Sequence, residues 1–230
     1  MKALLLAAGK GKRLAQVTKT LPKPMVEIEG KPILEHNILM LKNSDIFDIY
    51  INLHHLPEII QDYFEDGSKW GMNINYVYEE ELLGTSGAVK NCKTYFQDRF
   101  LVVYGDNLFD SNLSLKNLID FHKKNESSFT MGLCEVEDIS QSGTVELDKS
   151  NKITKLIEKP ATDGIIKGWV NAGIYLIESS LIDLIPTGNS DFSNDFIPFL
   201  LDSDYNVYAH KLERKVIPID TPTRLEQAIK

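Results

Sequence analysis

The sequence predicts an α/β protein built on a mainly parallel sheet, and three observations carry that prediction. Short apolar runs, such as FLVVY at residues 100–104, alternate along the chain with stretches of helical period, the pattern of βαβ units. Such runs are apolar at nearly every position, as strands covered on both faces must be. With 230 residues, 43% of them hydrophobic, the chain is long enough to bury one sizeable core. No internal repeat, low-complexity tract or Pro/Gly-rich linker divides it, so a single domain over residues 1–230 is expected.

Each element follows from its local pattern. Residues 4–8 (LLLAA) read as the first strand. Residues 32–42 place Ile33, Leu34, Ile38, Leu39 and Leu41 on one broad helical face, and residues 48–53 (DIYINL) form the next strand. A helix over 57–64, an alternating strand over 73–78 (NINYVY), a helix over 87–95 and the buried strand 100–104 follow. A helix at 115–124 leads into a more mixed second half, with strands at 128–136, 143–147, 153–157 and 170–177. Helices at 178–184 and 195–201 and a strand at 216–219 close the chain.

A formal net charge of −8 offers nothing to a polyanion as a whole, so nucleic acid and acidic membrane surfaces are not expected partners. Any phosphate affinity must be local. Cys92 and Cys134 lack the spacing of a zinc site or disulfide framework and read as small buried hydrophobes, and the five scattered histidines read as packing or surface residues. The opening run is too short to span a membrane and lacks a signal-peptide pattern, so a cytoplasmic location is expected.

The local phosphate affinity is written just after the first strand. Gly9 and Gly11 let backbone N–H groups approach phosphate oxygens, and Lys10, Lys12 and Arg13 crowd the same turn. Lys23 adds a further cation in TLPKPM, on a loop stiffened by two prolines. The string is neither GxxxxGK[ST] nor GxGxxG, since Leu14 stands at the sixth position. A polyphosphate ligand and an ordinary basic turn both remain open on this loop alone.

LAAGKGKRL followed by LPKPM resembles the signature of the sugar-1-phosphate nucleotidyltransferase family, whose GDP-mannose pyrophosphorylase-like members join a nucleoside triphosphate to a sugar 1-phosphate. LLGTSGA (82–88), VVYGDN (102–107), SGTVELD (142–148), IEKP (157–160), VNAGIYL (170–176) and IDTPTRLEQA (219–228) follow in the family's order, so the resemblance covers almost the whole chain. It implies a three-layer α/β/α, Rossmann-like and GT-A-like nucleotidyltransferase fold with a mainly parallel mixed central sheet. Residues 1–110 would form a nucleotide-binding half and 111–230 a sugar-phosphate-binding half. The expected partners are a nucleoside triphosphate and a sugar 1-phosphate, with Mg²⁺ as cofactor; a homo-oligomer is compatible with the sequence. After the last motif the β-helix acyltransferase domain of some relatives is not expected.

The same resemblance assigns residues. Leu6, Ala7, Ala8, Gly9, Gly11, Arg13, Lys23, Glu79, Gly84, Thr85 and Asp106 would bind the nucleotide; Gly143, Glu158, Lys159, Asn171 and Gly173 the sugar phosphate; and Arg13, Lys23 and Lys159 would carry the chemistry. Asp106, at the C-terminal edge of a buried strand, would ligate the metal, a turn-forming Asp being the alternative. Asp220 would be the second ligand, although IPIDTPTRL lacks the family's DxGTP glycine and an ungapped match places Pro218 where that Asp stands; a helix N-cap at Asp220 or Thr221 is the alternative. Gly84 would pack against a flat base and Thr85 would cap a helix. Glu79 falls where relatives read the base edge, and a carboxylate accepts from guanine N1–H and N2–H, which favours GTP; a solvated acidic face is the alternative. A cytidylyl or uridylyl transfer, and a regulatory subunit that binds without turnover, are the rival readings.

Overall fold

The computed structural model describes residues 1–11, 14, 18–161, 164–219 and 221–229. Arg13 and Asp220 lie outside the described residues. In chain order the elements are β1 (Lys2–Leu6), β2 (Glu27–Ile28), β3 (Lys31–Pro32), α1 (Ile33–Asn43), β4 (Asp48–Leu53), α2 (Pro57–Phe64), β5 (Asn73–Tyr78), α3 (Gly84–Asn91) and β6 (Phe100–Tyr104). These lead to β7 (Asn107–Phe109), α4 (Lys116–Lys124), β8 (Phe129–Val136), β9 (Gly143–Leu147), β10 (Ile153–Glu158) and β11 (Gly168–Ile177). The last are α5 (Ile197–Leu201), β12 (Val207–Lys211), β13 (Val216–Pro218) and α6 (Pro222–Ile229). The central sheet is mixed and its helices flank it, the α/β class the periodicity predicts.

The chain forms two compact units, one of residues 1–82, 102–115 and 216–230, the other of 83–101 and 116–215. In the first, β1, β4 and β5 lie parallel in register, Leu6 opposite Asn52 and Asn52 opposite Val77. Ala3, Leu4 and Leu5 of β1 are fully buried, which is why that run carries no polar alternation, and in β4 Ile49 and Ile51 are fully buried while the alternate Asn52 is buried as a polar group. The antiparallel pair of β13 with β7 sets Pro218 opposite Asn107. Thr221 Oγ1 then accepts the Arg224 N–H at 3.3 Å, a cap on α6, while the Asp220 half of that expectation lies outside the described residues. Leu225 and Ala228 of α6 pack on Leu14, Val26, Ile28, Ile33 and Ile219, which fastens the C-terminal segment beside the loop that follows β1.

The second unit is built on antiparallel pairs, β11 with β8 and β9, and β10 with β9, with β12 joining β8 in parallel. β12 is absent from the sequence expectation. Its alternation is present, Val207 and Ala209 inward, but Tyr208, His210 and Lys211 dilute the apolar signal. The expected helices at 178–184 and 195–201 are a 3₁₀ turn at Ser179–Leu184 and a wide turn at Phe192–Phe196 running into the short α5. Cys92 and Cys134 are both buried, as expected of small hydrophobes. Among the described residues no helix is long and apolar enough to cross a membrane.

α3 begins at Gly84, earlier than the periodicity suggests, because Gly84 adopts φ +74° and lets the chain press against Ser190. A Cβ there would sit 2.4 Å from the Ser190 carbonyl oxygen, whose position is fixed by bonds from the N–H groups of Ser86 and Gly87, each at 3.1 Å. Backbone strain and overpacking act together, so Gly84→Ala is expected to destabilise the protein by about 2–3 kcal/mol in denaturant unfolding.

A buried histidine adds a pH dependence. His122 is 1% exposed, with Nδ1 at 2.8 Å from Thr130 Oγ1 and Nε2 at 3.2 Å from Glu178, which also pairs with Arg99 at 3.1 Å. Burial pushes its pKa below the ordinary value, against the pull of Glu178, and burial acts in the same direction on His210. The neutral ring is therefore the folded form, and its contribution is present above the unfolded value of about 6.5 and lost as pH falls through the folded value. The melting temperature should be flat above about pH 7 and decline below about 6.5; His122→Gln should reduce that slope, with His210 supplying the remainder.

Candidate functional site

Where β1 ends at Leu6, the chain turns away from the ladder two residues earlier than the expected strand, which runs to Ala8. Ala7 gives its N–H to the side chain of Asn52 at 2.7 Å instead of to a backbone carbonyl. Leu6, Ala7, Ala8 and Gly9 then form the lip of the loop, and among the described residues, its chain neighbours aside, nothing lies within 4 Å of the space a Gly9 Cβ would occupy. Gly11 is different: it sits at φ +58°, and a Cβ would lie 2.7 Å from Thr18 Cγ2 and 3.2 Å from Lys23 Cβ. The loop is thereby drawn tightly against Thr18 and Lys23. Thr18 donates to the carbonyls of Gly11 and Leu14, both at 3.1 Å, and the Thr18 carbonyl accepts from His55 Nε2 at 3.0 Å.

Lys23 opens a short 3₁₀ turn, Lys23–Met25, with Pro22 before it and Pro24 within it. Its side chain is 9% exposed and its Nζ lies 2.6 Å from Asp106 Oδ2, so the cation sits largely out of water against the Asp106 carboxylate. Asp106 is 36% exposed at its side chain and occupies the turn between β6 and β7. That turn is clamped from two sides. Gly105 donates its N–H to Leu6 O at 2.9 Å, where a Cβ would stand 2.8 Å from the same oxygen. Asn37 of α1, fully buried, donates Nδ2 to the carbonyl of Asn107 at 2.9 Å, with Gly105 at 3.4 Å, and accepts the Phe109 N–H at 3.3 Å.

Glu79 lies just beyond β5 and is 2% exposed, so the solvated acidic face fails for this residue, while its neighbours Glu80 and Glu81 are exposed. Its Oε1 accepts from Asn52 Nδ2 at 2.7 Å and its carbonyl from His54 Nδ1 at 2.9 Å. The first unit thus brings Leu6, Ala7, Ala8, Gly9, Gly11, Lys23, Glu79 and Asp106 together.

Gly84 and Thr85 fall in the second unit. Thr85 does not cap α3: Leu83 holds the cap position, and the Thr85 hydroxyl donates to Asp191 Oδ1 at 3.0 Å and accepts the Phe192 N–H at 2.9 Å. The positive φ of Gly84 makes residue 83 the last one outside the helix, which moves the cap one step upstream. The missing Cβ of Gly84 serves contact with Ser190, a packing reason that a sequence string does not display.

In the same unit Gly143 pairs with Glu158 across β9 and β10, and the Glu158 carboxylate reaches over the glycine, 2.7 Å from the place of a Cβ. Lys159 follows at φ +46° with its N–H on Ser142 O at 3.3 Å; Glu158 and Lys159 are both exposed. Asn171 donates Nδ2 to the Tyr175 hydroxyl at 2.6 Å and accepts the Gly173 N–H at 2.9 Å, across the irregularity where β11 slips against β8. The amide expected for a sugar hydroxyl is therefore engaged within its own strand, at the bulge where Gly173 takes φ +71°.

Sequence reasoning missed Asn37, Asn52, His54 and His55 as organisers of the first unit. A signal existed for the two amides. Asn52 is the one amide in an apolar strand, and Asn37 stands at core spacing between Leu34 and Leu41; buried polar groups at such places carry information.

A family model described as nucleotidyl transferase matches residues 2–216. The chain belongs to the nucleotidyl transferase family. Within that family it is 35% identical over its full length to a UTP–glucose-1-phosphate uridylyltransferase of Synechocystis sp., covering 63% of that relative. It is 35% identical over 90% of its length to a mannose-1-phosphate guanylyltransferase of Mycobacterium tuberculosis, covering 58% of it. The chain therefore spans about 60% of the length of these relatives. A crystal structure of HddC from Yersinia pseudotuberculosis complexed with GMP-PN superposes with a TM-score of 0.84 at 27% identity, over 99% of this chain and 97% of that one.

Proposed function

We propose that this nucleotidyl transferase family member is a sugar-1-phosphate nucleotidyltransferase that acts as one functional domain over residues 1–230 and converts a nucleoside triphosphate and a sugar 1-phosphate to a nucleotide sugar and pyrophosphate. The observation that carries the reading is Lys23 held at 2.6 Å from Asp106 behind an open glycine lip: a buried cation and a hard anion side by side suit a polyphosphate and its metal. GTP is the proposed donor, supported by the likeness to a guanylyltransferase and to a protein crystallised with GMP-PN. UTP is the second reading, supported by the uridylyltransferase likeness.

In this reading a phosphate oxygen of the sugar 1-phosphate attacks the α-phosphorus in line. The new O–P bond forms as the bond to the β-phosphate breaks, and pyrophosphate leaves with the electron pair. The nucleophile is already anionic, so positioning and charge neutralisation do the catalysis. The backbone of residues 6–11 receives the nucleotide, Lys23 and Arg13 hold the triphosphate, and Lys159 meets the sugar phosphate. Glu158, Gly143, Asn171 and Gly173 shape the sugar site, and Gly84 and Thr85 support the nucleotide side.

Magnesium fits the donor set. Among the described residues no group of three His, Cys, Asp or Glu is arranged to hold a metal, which excludes a closed protein cage there, and Mg²⁺ ordinarily takes one or two carboxylates and completes its shell with phosphate and water oxygens. Asp106 would hold it, with Asp220 as the second carboxylate. When bound, the ion supplies Lewis-acid neutralisation of phosphate charge.

The test is a panel of the four triphosphates crossed with several sugar 1-phosphates, read as pyrophosphate release. Strongest release with GTP supports the full reading, and preference for UTP or CTP moves the donor. Nucleotide binding with no release from any pair rejects catalysis in favour of a binding subunit.

A further inference from the structure

The hydrogen bonds of Asn52 carry an inference about how the nucleotide lip is held. Ala7 has only an N–H to give, so the Asn52 atom facing it at 2.7 Å must be the carbonyl oxygen. The amide nitrogen then faces Glu79, and its 2.7 Å contact with Oε1 is a charge-assisted bond. The two bonds fix each other. Asn52 is 3% exposed and Glu79 2%, so water does not substitute for either. The register places the pair where it matters: Leu6 lies opposite Asn52, and the next residue, Ala7, has left the ladder. The side chain of β4 thus stands in for a backbone carbonyl at the point where β1 becomes the loop.

We infer that Asn52 is a positioning residue that sets the direction of the backbone from Ala7 to Gly9, and that Glu79 acts on the nucleotide through Asn52 by locking its amide. The inference rests on the proposal that residues 6–11 bind a nucleoside triphosphate. It gives the buried carboxylate a task that needs no contact with the base. It also states what Glu79 must be: an acceptor toward Asn52, which a glutamine oxygen satisfies and a leucine does not.

The test uses the full chain and calorimetric binding of GTP and of UTP in the absence of any sugar phosphate. Asn52→Leu should weaken binding of the preferred triphosphate about ten-fold or more, since a buried donor loses its acceptor, while KM for the sugar 1-phosphate stays within about two-fold. Glu79→Leu should match it, the double variant should be no weaker than either single one, and Glu79→Gln should bind within about two-fold of the unchanged protein with the same GTP to UTP ratio. Asn52→Ser, too short to span both partners, gives the same reading if Asn52→Leu does not fold. The inference is overturned if Asn52→Leu, or the serine variant in its place, binds within about two-fold of the unchanged protein, or if Glu79→Gln shifts the GTP to UTP ratio about ten-fold, which makes the carboxylate a direct reader of the base. Binding without pyrophosphate release removes the proposed reaction and leaves this inference standing; no nucleotide binding at all removes both.

Discussion

Lys23→Met is expected to lower turnover by a factor of about 10² to 10³ at saturating triphosphate, the scale of losing one preorganised electrostatic group. Methionine keeps the apolar stem between Pro22 and Pro24, so the 3₁₀ turn and its packing survive. What disappears is the ammonium 2.6 Å from Asp106. That geometry makes a second, opposite expectation for the metal. In the proposed site Lys23 and a divalent cation would seek the same carboxylate, so in the absence of nucleotide the lysine would oppose metal binding, and its removal should tighten Mn²⁺ binding measured by spin resonance. Lower turnover with tighter bare-metal binding is a combination that general loss of structure does not produce. Turnover near that of the unchanged protein would take Lys23 out of the mechanism.

The same pair shows what was legible in the sequence and what was not. That Lys23 and Asp106 are candidates for chemistry is readable from local context: a cation between prolines after a glycine turn, and a carboxylate at the end of FLVVYG. That they touch one another across 83 residues does not, because no local pattern encodes which turn a loop meets. Strands β4, β5, β6 and β9 and helix α2 stood in the sequence with their observed bounds, since each shows an apolar run, an alternation or a helical period bounded by polar or turn residues. β7, β12 and the β2–β3 hairpin were not visible; they are short or half-polar and owe their existence to partners distant in sequence. Glu79 was legible as important and illegible as buried. Its neighbours in the EEE run are solvated, whereas Glu79 is buried with its carboxylate on the Asn52 amide.

Asp106→Asn separates the ion pair with Lys23 from the metal-ligand role proposed for the same carboxylate. The substitution preserves shape, and the Asn37 and Leu6 clamps on the turn do not involve the side chain of residue 106, so the turn should hold. The Lys23 ammonium, however, loses its counter-charge while its side chain remains 9% exposed. Partial exposure of residue 106 lets water and the new amide oxygen compensate in part, so the expected cost in unfolding free energy is about 1–3 kcal/mol, at the lower end of what breaking a buried pair produces. Activity should fall about 10² to 10³-fold or more, with the Mg²⁺ concentration for half-maximal rate displaced upward, because the amide is a poor ligand for a hard cation. Adding Lys23→Met to Asp106→Asn removes the uncompensated cation, and that double variant should recover most of the lost stability with no recovery of turnover. Stability would then rise along one step of the cycle while activity does not. If the double variant is less stable than Asp106→Asn alone, the ion pair is not what the lost stability measures; if the Mg²⁺ titration of Asp106→Asn is unchanged, residue 106 is not a metal ligand.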